Sequence, residues 1–210
     1  ELYFRSYCGG FPKIPNDFKY KFSWSPLGVL KALISPAQWI EQGVKKTSNG
    51  PWDALRDIKI NGIEETFQAY PNRDSIPFKE QYHFPESWRV KEFVRGTLRL
   101  DGWAQAWQPI FEEVRQLQGE TGLSRLQQIS TELEQKHGYE IGEPDRVVLS
   151  VALETRRNGK VTWCQSYLMD AAGNDKGQAM ARLVSLPVAL AVGSVIDGQL
   201  PTGVTAAPSQ

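Results

Sequence analysis

Alternating apolar and polar residues mark one segment of the chain as a strand with one buried face. Between residues 89 and 101 the apolar residues Val90, Val94, Leu98 and Leu100 occupy even positions, and the polar residues Lys91, Arg95, Thr97 and Arg99 occupy odd positions. A period of two is the period of a strand. Two guanidinium groups and a hydroxyl are therefore expected on one face of this strand.

Two further segments have the pattern of antiparallel hairpins. Residues 145–156 and 161–169 are rich in Val, Leu and Thr and flank Asn158-Gly159, a strong signal for a two-residue hairpin turn. Residues 58–70 alternate around Asn61-Gly62 and predict a second hairpin. Residues 173–177 begin and end with glycine and predict a turn after the first of these hairpins.

Short helices are predicted wherever a capping hydroxyl precedes proline. Ser25-Pro26 and Ser35-Pro36 both have this arrangement, and the second helix is expected to end near Gly43. Residues 45–53 are rich in Ser, Asn, Gly and Pro and read as a loop.

Three later segments are predicted to be helices. Apolar residues recur at this spacing over residues 103–117, where Pro109 is expected to kink the helix or shift its start. Ser124 with Gln127 resembles a capping box for a helix that Gly138 ends. Residues 178–197 predict one apolar helix, interrupted at Pro187, followed by an extended tail from residue 201. The apolar stretch 183–196 is shorter than the about 20 residues of a membrane span, so a buried helix and no membrane partner are expected.

Length, charge balance and cysteine count limit the number of domains, the partners and the location of the protein. The 210 residues suit one large or two small domains, and 24 basic residues balance 24 acidic ones. This balance provides no global field for nucleic acid, so no nucleic-acid partner is expected. Only Cys8 and Cys164 are present, which favours reduced thiols and a cytoplasmic location.

Several catalytic motifs are absent from the sequence. It contains no GxGxxG or GxxxxGK[ST] phosphate-binding turn, and no HExxH, paired CxxC or GxSxG. His83 and His137 are the only histidines, so no metal site is expected. The chain alone is therefore expected to bind no nucleotide cofactor.

Polar and aromatic motifs supply the candidate chemistry. In Tyr7-Cys8-Gly9-Gly10, the glycines allow close approach of a ligand or another chain, although a tight turn with a buried, inert thiol is an alternative. Arg95, Thr97 and Arg99 could clamp a carboxylate, or they could form a solvated face paired with acids. Two further segments are explained by structure alone, without a functional role. Tyr20, Phe22 and Trp24 alternate with polar residues and suggest core packing by aromatic residues. Residues 71–75 (PNRDS) suggest a loop.

Taken together and in this order, these segments resemble the saccharopine dehydrogenase family, specifically its NADP-dependent, glutamate-forming reductases of 2-aminoadipate metabolism. The resemblance rests on SYCGG at residues 6–10, YKFSWSP at 20–26, AYPNRDS at 69–75, VRGTLR at 94–99 and MAR at 180–182. It covers almost the whole chain.

The resemblance implies an α+β fold: a mixed, largely antiparallel sheet with flanking helices, forming the substrate-binding and dimerisation domain of a Rossmann-type reductase. Residues 1–176 would form this domain, and residues 177–210 would return as a helix and tail toward a cofactor domain outside this chain. By the same resemblance, Cys8 and Gly9 would line the reaction centre, with Cys8 as a proton-transfer participant. Trp24 would wall the substrate pocket, and Arg95 would hold a substrate carboxylate with Thr97 and Arg99 nearby.

The implied reaction reduces the imine of L-glutamate and 2-aminoadipate semialdehyde with NADP(H), in a homodimeric full-length enzyme. Two alternatives remain open at this point. The chain could be a non-catalytic ligand-binding or oligomerisation module, or part of a sibling reductase that acts on carboxylated polyamines.

Overall fold

The computed structural model describes residues 1–117, 119–200 and 203, and its centre is one mixed sheet. The expected tail of residues 201–210 lies, apart from residue 203, outside the described residues. The strands are β1 (Leu2–Pro12), β2 (Ala37–Glu41), β3 (Val44–Ser48), β4 (Arg56–Lys59), β5 (Thr66–Pro71), β6 (Val90–Leu100), β7 (Asp145–Arg157) and β8 (Lys160–Ala172).

Helices are inserted between the strands and follow the last one. They are α1 (Pro26–Leu33), α2 (Pro51–Ala54), α3 (Pro77–Gln81), α4 (Trp103–Ala106), α5 (Gln108–Gln116), α6 (Gly119–His137) and α7 (Ala179–Ile196).

The sheet has the strand order β3-β2-β6-β1-β7-β8, and the β4–β5 hairpin joins it through β5, which pairs with the second half of β6. Among the described strands, β1 and β6 are the parallel pair, and the other pairings are antiparallel. The predicted α+β class, with a mixed and largely antiparallel sheet and flanking helices, is confirmed.

The two faces of the sheet bury different cores. We call the face that carries Cys8, Arg95, Thr97 and Arg99 the front face, and the face that carries Tyr7, Val94 and Leu98 the back face. Helices α1, α4, α5 and α6 pack a core against one end of the front face, around Tyr70, Trp103 and Trp107. The back face holds a second core that includes Phe11, Phe67 and Leu98.

Several local predictions are confirmed because their signals act over a few residues. Helix α1 begins after Ser25, whose side-chain oxygen accepts a hydrogen bond from the Gly28 amide. The β7–β8 turn places Asn158 and Gly159 at φ 50° and 77°, as a two-residue hairpin turn requires. Helix α5 begins at Gln108, which leaves Pro109 in its first turn, where no amide donor is needed.

The helix expected after Ser35-Pro36 is wrong, since Ala37–Glu41 forms β2. The Ser35 hydroxyl donates to the Lys31 carbonyl and so completes the end of α1 rather than starting a helix. Residues 45–53 are not a simple loop either. Gln42 and Gly43 adopt φ 53° and 78°, and this tight turn pairs β3 with β2.

The capping box expected at Ser124 is also wrong. Helix α6 begins at Gly119, and the Ser124 hydroxyl donates to the Glu120 carbonyl inside the helix. The predicted end of this helix is confirmed, because α6 runs to His137 and Gly138 follows it.

Helix α7 was expected to be buried and interrupted at Pro187, and both expectations are wrong. It runs through Pro187 without a break, and of its residues only Ala179 is buried within the described chain. Its start is anchored by the buried carboxylate of Asp145, which accepts hydrogen bonds from the amides of Ala179 (2.5 Å) and Met180 (2.8 Å). In the described chain α7 is the helix whose length and mean hydropathy, 1.9 over 18 residues, would fit a bilayer.

Candidate functional site

A row of side chains crosses the front face where three strands pair. The register places Tyr70 of β5 opposite Thr97 of β6, and Thr97 opposite Cys8 of β1. Arg99 is the next front-face residue along β6, because side chains of a strand alternate between its faces. The predicted common face of Arg95, Thr97 and Arg99 is therefore confirmed, and Cys8 and Tyr70 join it.

Arg99 lies in an aromatic box. Its side chain is mostly buried, with the whole residue only 8% exposed. Its guanidinium carbon lies 4.8 Å from the ring centroid of Tyr20, 5.2 Å from that of Trp103 and 5.7 Å from that of Tyr70. These contacts are within the range of cation–π attraction. One guanidinium nitrogen, Nη2, also donates a hydrogen bond of 3.0 Å to the Tyr70 hydroxyl.

No carboxylate of the described chain forms an ion pair with this buried guanidinium. Its Nη1 makes a long contact of 3.4 Å with the Leu98 carbonyl, and its Nε has no partner among the described residues. A buried charge is costly unless it is paired, and the aromatic rings compensate for part of that cost. Arg99 thus presents free donors and a positive charge that suit an anion.

Cys8 lies beside this charge and reaches solvent. The segment around it belongs to strand β1, so the alternative of a tight turn with a buried thiol is wrong. Partial burial of the sulfur raises the pKa of the Cys8 thiol, and the positive charge of Arg99 offsets part of that rise. The thiol is therefore predominantly protonated at neutral pH.

Gly9 and Gly10 allow close packing on opposite faces of β1. A Cβ atom at Gly9 would lie 2.5 Å from the Leu98 carbonyl oxygen and 2.7 Å from the Leu98 Cβ, on the back face. At Gly10 it would lie 2.4 Å from the terminal methyl of Met180 at the start of α7. The close approach predicted for these glycines is thus made by Leu98 and Met180 of the same chain.

Arg95 has a different environment from Arg99. Its guanidinium carbon lies 3.5 Å from the centroid of the Phe78 ring on α3, and its amide donates to the buried hydroxyl of Ser75 at 3.0 Å. The Arg95 guanidinium has no ion pair in the described part of the chain. Of the predicted loop at residues 71–75, Pro71 belongs to β5, and residues 72–75 lie outside the strands, with Arg73 at φ 54°.

Trp24 does not join the core that its sequence context suggests. It is 52% exposed, and its ring lies over Gly28, where a Cβ would approach it to 2.6 Å. Tyr20 and Phe22 of the same segment are buried as expected. Within the described chain, Trp24 has no hydrogen bond or ring contact with Cys8, Thr97 or Arg99.

Sequence reasoning missed Tyr20, Tyr70 and Trp103 as neighbours of Arg99. Tyr20 and Tyr70 lie in two of the quoted strings, YKFSWSP and AYPNRDS, so their association with polar motifs was the available signal. Burial raises the pKa of the Tyr70 hydroxyl, partly offset by Arg99, so Tyr70 stays neutral and its oxygen accepts from the guanidinium.

The glycine pair of β1 does not have the form of a pyrophosphate site. A pyrophosphate site needs a glycine-rich turn from a strand into a helix, but Gly9 and Gly10 lie inside β1, which continues to Pro12 without a following helix. Gly9 and Gly10 therefore serve the packing of β1 and do not form a phosphate-binding turn.

Comparison with known proteins shows similarity along the chain. Residues 2–209 match the family model described as saccharopine dehydrogenase C-terminal domain. A saccharopine dehydrogenase (NADP+, L-glutamate-forming) of Pyricularia oryzae is 30% identical and aligns with 94% of this chain. The counterpart in Saccharomyces cerevisiae is 42% identical over 107 residues, covering 49% of this chain and 23% of that protein. A mitochondrial alpha-aminoadipic semialdehyde synthase of Bos taurus is 36% identical over 48% of this chain and 11% of its own length.

A solved structure has a similar fold. Apo histidine-tagged saccharopine dehydrogenase (L-Glu forming) from Saccharomyces cerevisiae superposes with a TM-score of 0.74 at 25% identity, over 98% of this chain and 61% of that one. The chain thus spans 59% of the Pyricularia oryzae relative and 61% of the yeast structure.

Proposed function

Because this chain belongs to the saccharopine dehydrogenase family and matches its C-terminal domain, we propose that it forms the substrate-binding part of an NADP-dependent oxidoreductase. The proposed enzyme reduces the imine of L-glutamate and 2-aminoadipate semialdehyde to a secondary amine, for which the nicotinamide cofactor supplies the hydride. The cofactor would be held by a part of the protein outside this chain.

The single observation that carries this proposal is the Arg99 guanidinium, buried among aromatic rings with no carboxylate partner in the described residues. The proposed substrate carries several carboxylates, and a guanidinium binds a carboxylate through charge-assisted hydrogen bonds. Arg99 would bind one carboxylate with Thr97 beside it, and Arg95, also without an ion pair, would bind another.

Cys8 lies next to both the proposed carboxylate site and solvent. Because its thiol is protonated at neutral pH, it can donate a hydrogen bond to a substrate atom or take part in proton transfer. Gly9 would contribute by keeping β1 close to β6, which sets the position of Cys8 against Thr97. Trp24, with its exposed ring, would wall the pocket.

Replacing Arg99 with methionine tests the proposal. A charge-assisted hydrogen bond contributes about 1.5–3 kcal/mol, so Arg99→Met should raise the substrate KM by roughly 10- to 100-fold and leave NADPH affinity unchanged. Arg95→Ala should show the same selectivity. Arg125→Ala, which removes a half-buried, ion-paired arginine on α6, is the control and should change neither constant.

Equal losses of substrate and nucleotide affinity would contradict the role of these arginines. Steady-state assays of the whole protein with saccharopine and with carboxylated polyamines would show which substrate class the site prefers. A whole protein that binds saccharopine but oxidises neither compound with NADP+ would favour a non-catalytic module.

We also propose that α7 packs against the cofactor domain. Apolar side chains cover its exposed surface, and a helix of this kind needs a covering partner. These residues are Val184, Leu186, Val188, Leu190, Val192, Val195 and Ile196. Amide exchange of α7 should be slower in the whole protein than in this chain alone. Equal exchange rates in the two, or slowing only on addition of lipid vesicles, would contradict this packing.

Two further proposals concern the whole protein. A homodimer formed through the sheet is expected, and sedimentation that shows only monomer at tens of micromolar would contradict it. A cytoplasmic location is expected from the two free cysteines, and fractionation of cells with the protein in an organelle would contradict it.

A further inference from the structure

The back face of the sheet contains a cavity of about 400 Å³ on the side opposite Cys8 and Arg99. It forms because the sheet curls and brings its ends together. β4 ends the branch that joins β6 through β5, and β8 is the edge strand on the other side of the sheet, yet a Cβ atom at Gly62, after β4, would lie 3.0 Å from the Leu168 side chain on β8. A cavity of this size can hold a small organic molecule.

Hydrogen-bond donors surround one part of the cavity. Arg5 uses Nε (2.8 Å) and Nη2 to bind the Glu92 carboxylate, which leaves Nη1 available. Arg56, which lines the cavity together with Tyr7, donates through Nη1 to Glu41 at 3.0 Å and so keeps Nε and Nη2. Two ion-paired guanidiniums therefore retain free donors in this region.

Neutral hydroxyls add to this set. Burial raises the pKa of Tyr7, so its phenol remains a neutral group at physiological pH. Ser150 of β7 and Ser166 of β8 also line the cavity, and their hydroxyls make no hydrogen bond within the residues the structure describes. Three cationic side chains, Arg5, Arg56 and Lys59, line the cavity against one carboxylate, Glu92, and this balance of charge suits an anionic ligand.

Apolar side chains line the rest of the wall. Ile58 of β4, Ala152 of β7 and Leu168 of β8 face the same space. A ligand for this cavity therefore needs an acceptor-rich anionic end and an apolar end.

We propose that the cavity binds a small aliphatic carboxylate, with its carboxylate against Arg56 and Tyr7 and its hydrocarbon chain against Ile58 and Leu168. This site does not depend on the function proposed for the front face. Because the guanidiniums are already paired with acids, affinity rests on their remaining N–H groups and on the apolar contact.

The test uses the whole protein that contains this chain, with hexanoate as the probe. Saturation-transfer NMR titrations would compare hexanoate with hexanamide, which has the same chain but no charge, and with hexylamine, which has the opposite charge. Saturable hexanoate binding with hexanamide at least about tenfold weaker is expected, since the charge-assisted bonds are lost. No saturation, or equal binding of the amide or the amine, would overturn the proposal.

Variants locate the binding. Arg56→Gln should weaken hexanoate about tenfold and Tyr7→Phe roughly threefold, with hexanamide affinity unchanged in both. Arg125→Gln removes another ion-paired arginine on the helical side and should leave binding unchanged. Circular dichroism checks folding, and Tyr7→Phe serves as the test if Arg56→Gln does not fold.

Arg99→Met separates the two faces of the sheet. Hexanoate binding should persist in this variant, because Arg99 lies on the front face. Loss of all hexanoate binding in Arg99→Met, or unchanged binding in both Arg56→Gln and Tyr7→Phe, would overturn the assignment to the back-face cavity.

Discussion

Replacing Tyr70 with phenylalanine isolates the hydrogen bond that holds Arg99 in its aromatic box. The change removes one oxygen and keeps the ring, so the contact of Tyr70 with Trp103, at 5.4 Å between centroids, is retained. The Arg99 Nη2 atom loses its acceptor at 3.0 Å, and the neighbouring Nε is already without a partner in the described chain.

The expected loss follows from the burial of both partners. Tyr70 and Arg99 are buried, so water does not readily replace the missing oxygen. A hydrogen bond to a charged group contributes about 1.5–3 kcal/mol, and leaving a buried donor unsatisfied costs about 1–3 kcal/mol. These are two descriptions of one loss, so the free energy of unfolding should fall by about 2 kcal/mol.

Urea denaturation followed by circular dichroism measures this change. The midpoint should fall with an unchanged slope, which indicates a change in stability alone. Tyr167→Phe is the matched control, because Tyr167 is 66% exposed, and its loss should be below about 0.5 kcal/mol. A loss for Tyr70→Phe no larger than for the control would refute the claim that this hydroxyl supports the guanidinium.

Three other predictions test the surrounding structure. Gly9→Ala should lower the free energy of unfolding in urea by about 1–3 kcal/mol, because its Cβ would overlap the main chain of β6. The control is Gly193→Ala, with open space around it in α7, which should be neutral or stabilising by up to about 1 kcal/mol. The pH dependence of the alkylation rate of Cys8 should give a thiol pKa above the usual value of about 8.5. Arg99→Met should raise that pKa further, because it removes a charge that favours the thiolate, and a lower pKa in the variant would contradict this. Asp145→Ala should cost about 2 kcal/mol and speed amide exchange at the start of α7, and unchanged exchange there would show that this carboxylate does not anchor the helix.

Local sequence signals predicted the elements whose formation depends on a few neighbouring residues. Asn158-Gly159 determines its turn through positive φ angles, and the alternation in β6 follows from one face being buried. The signal failed at Ser35-Pro36, because capping chemistry is compatible with both the end of one helix and the start of another. Pairing of β2 with β3 and burial of Trp39 determined the outcome there.

The candidate site was predictable only in part. The period of two placed Thr97 and Arg99 on one face, but it carries no information about which distant residues cover that face. Tyr20, Tyr70 and Trp103 reach Arg99 from three other segments of the chain, through packing that arises only when the whole domain is folded. The exposure of α7 was missed because an apolar composition predicts that a helix is buried against another surface. It does not predict that this surface belongs to the same chain.

The central position of β1 has a consequence for biosynthesis. Strand β1 (Leu2–Pro12) pairs with β6 on one side and β7 on the other, and these partner strands end at Leu100 and Arg157. At about 5–20 residues per second, a ribosome needs roughly 7–30 s to make the 145 residues between the ends of β1 and β7. Until β6 is complete at Leu100, β1 emerges with neither neighbour available, and its second partner follows only when β7 is complete at Arg157, which makes β1 a natural binding segment for a chaperone.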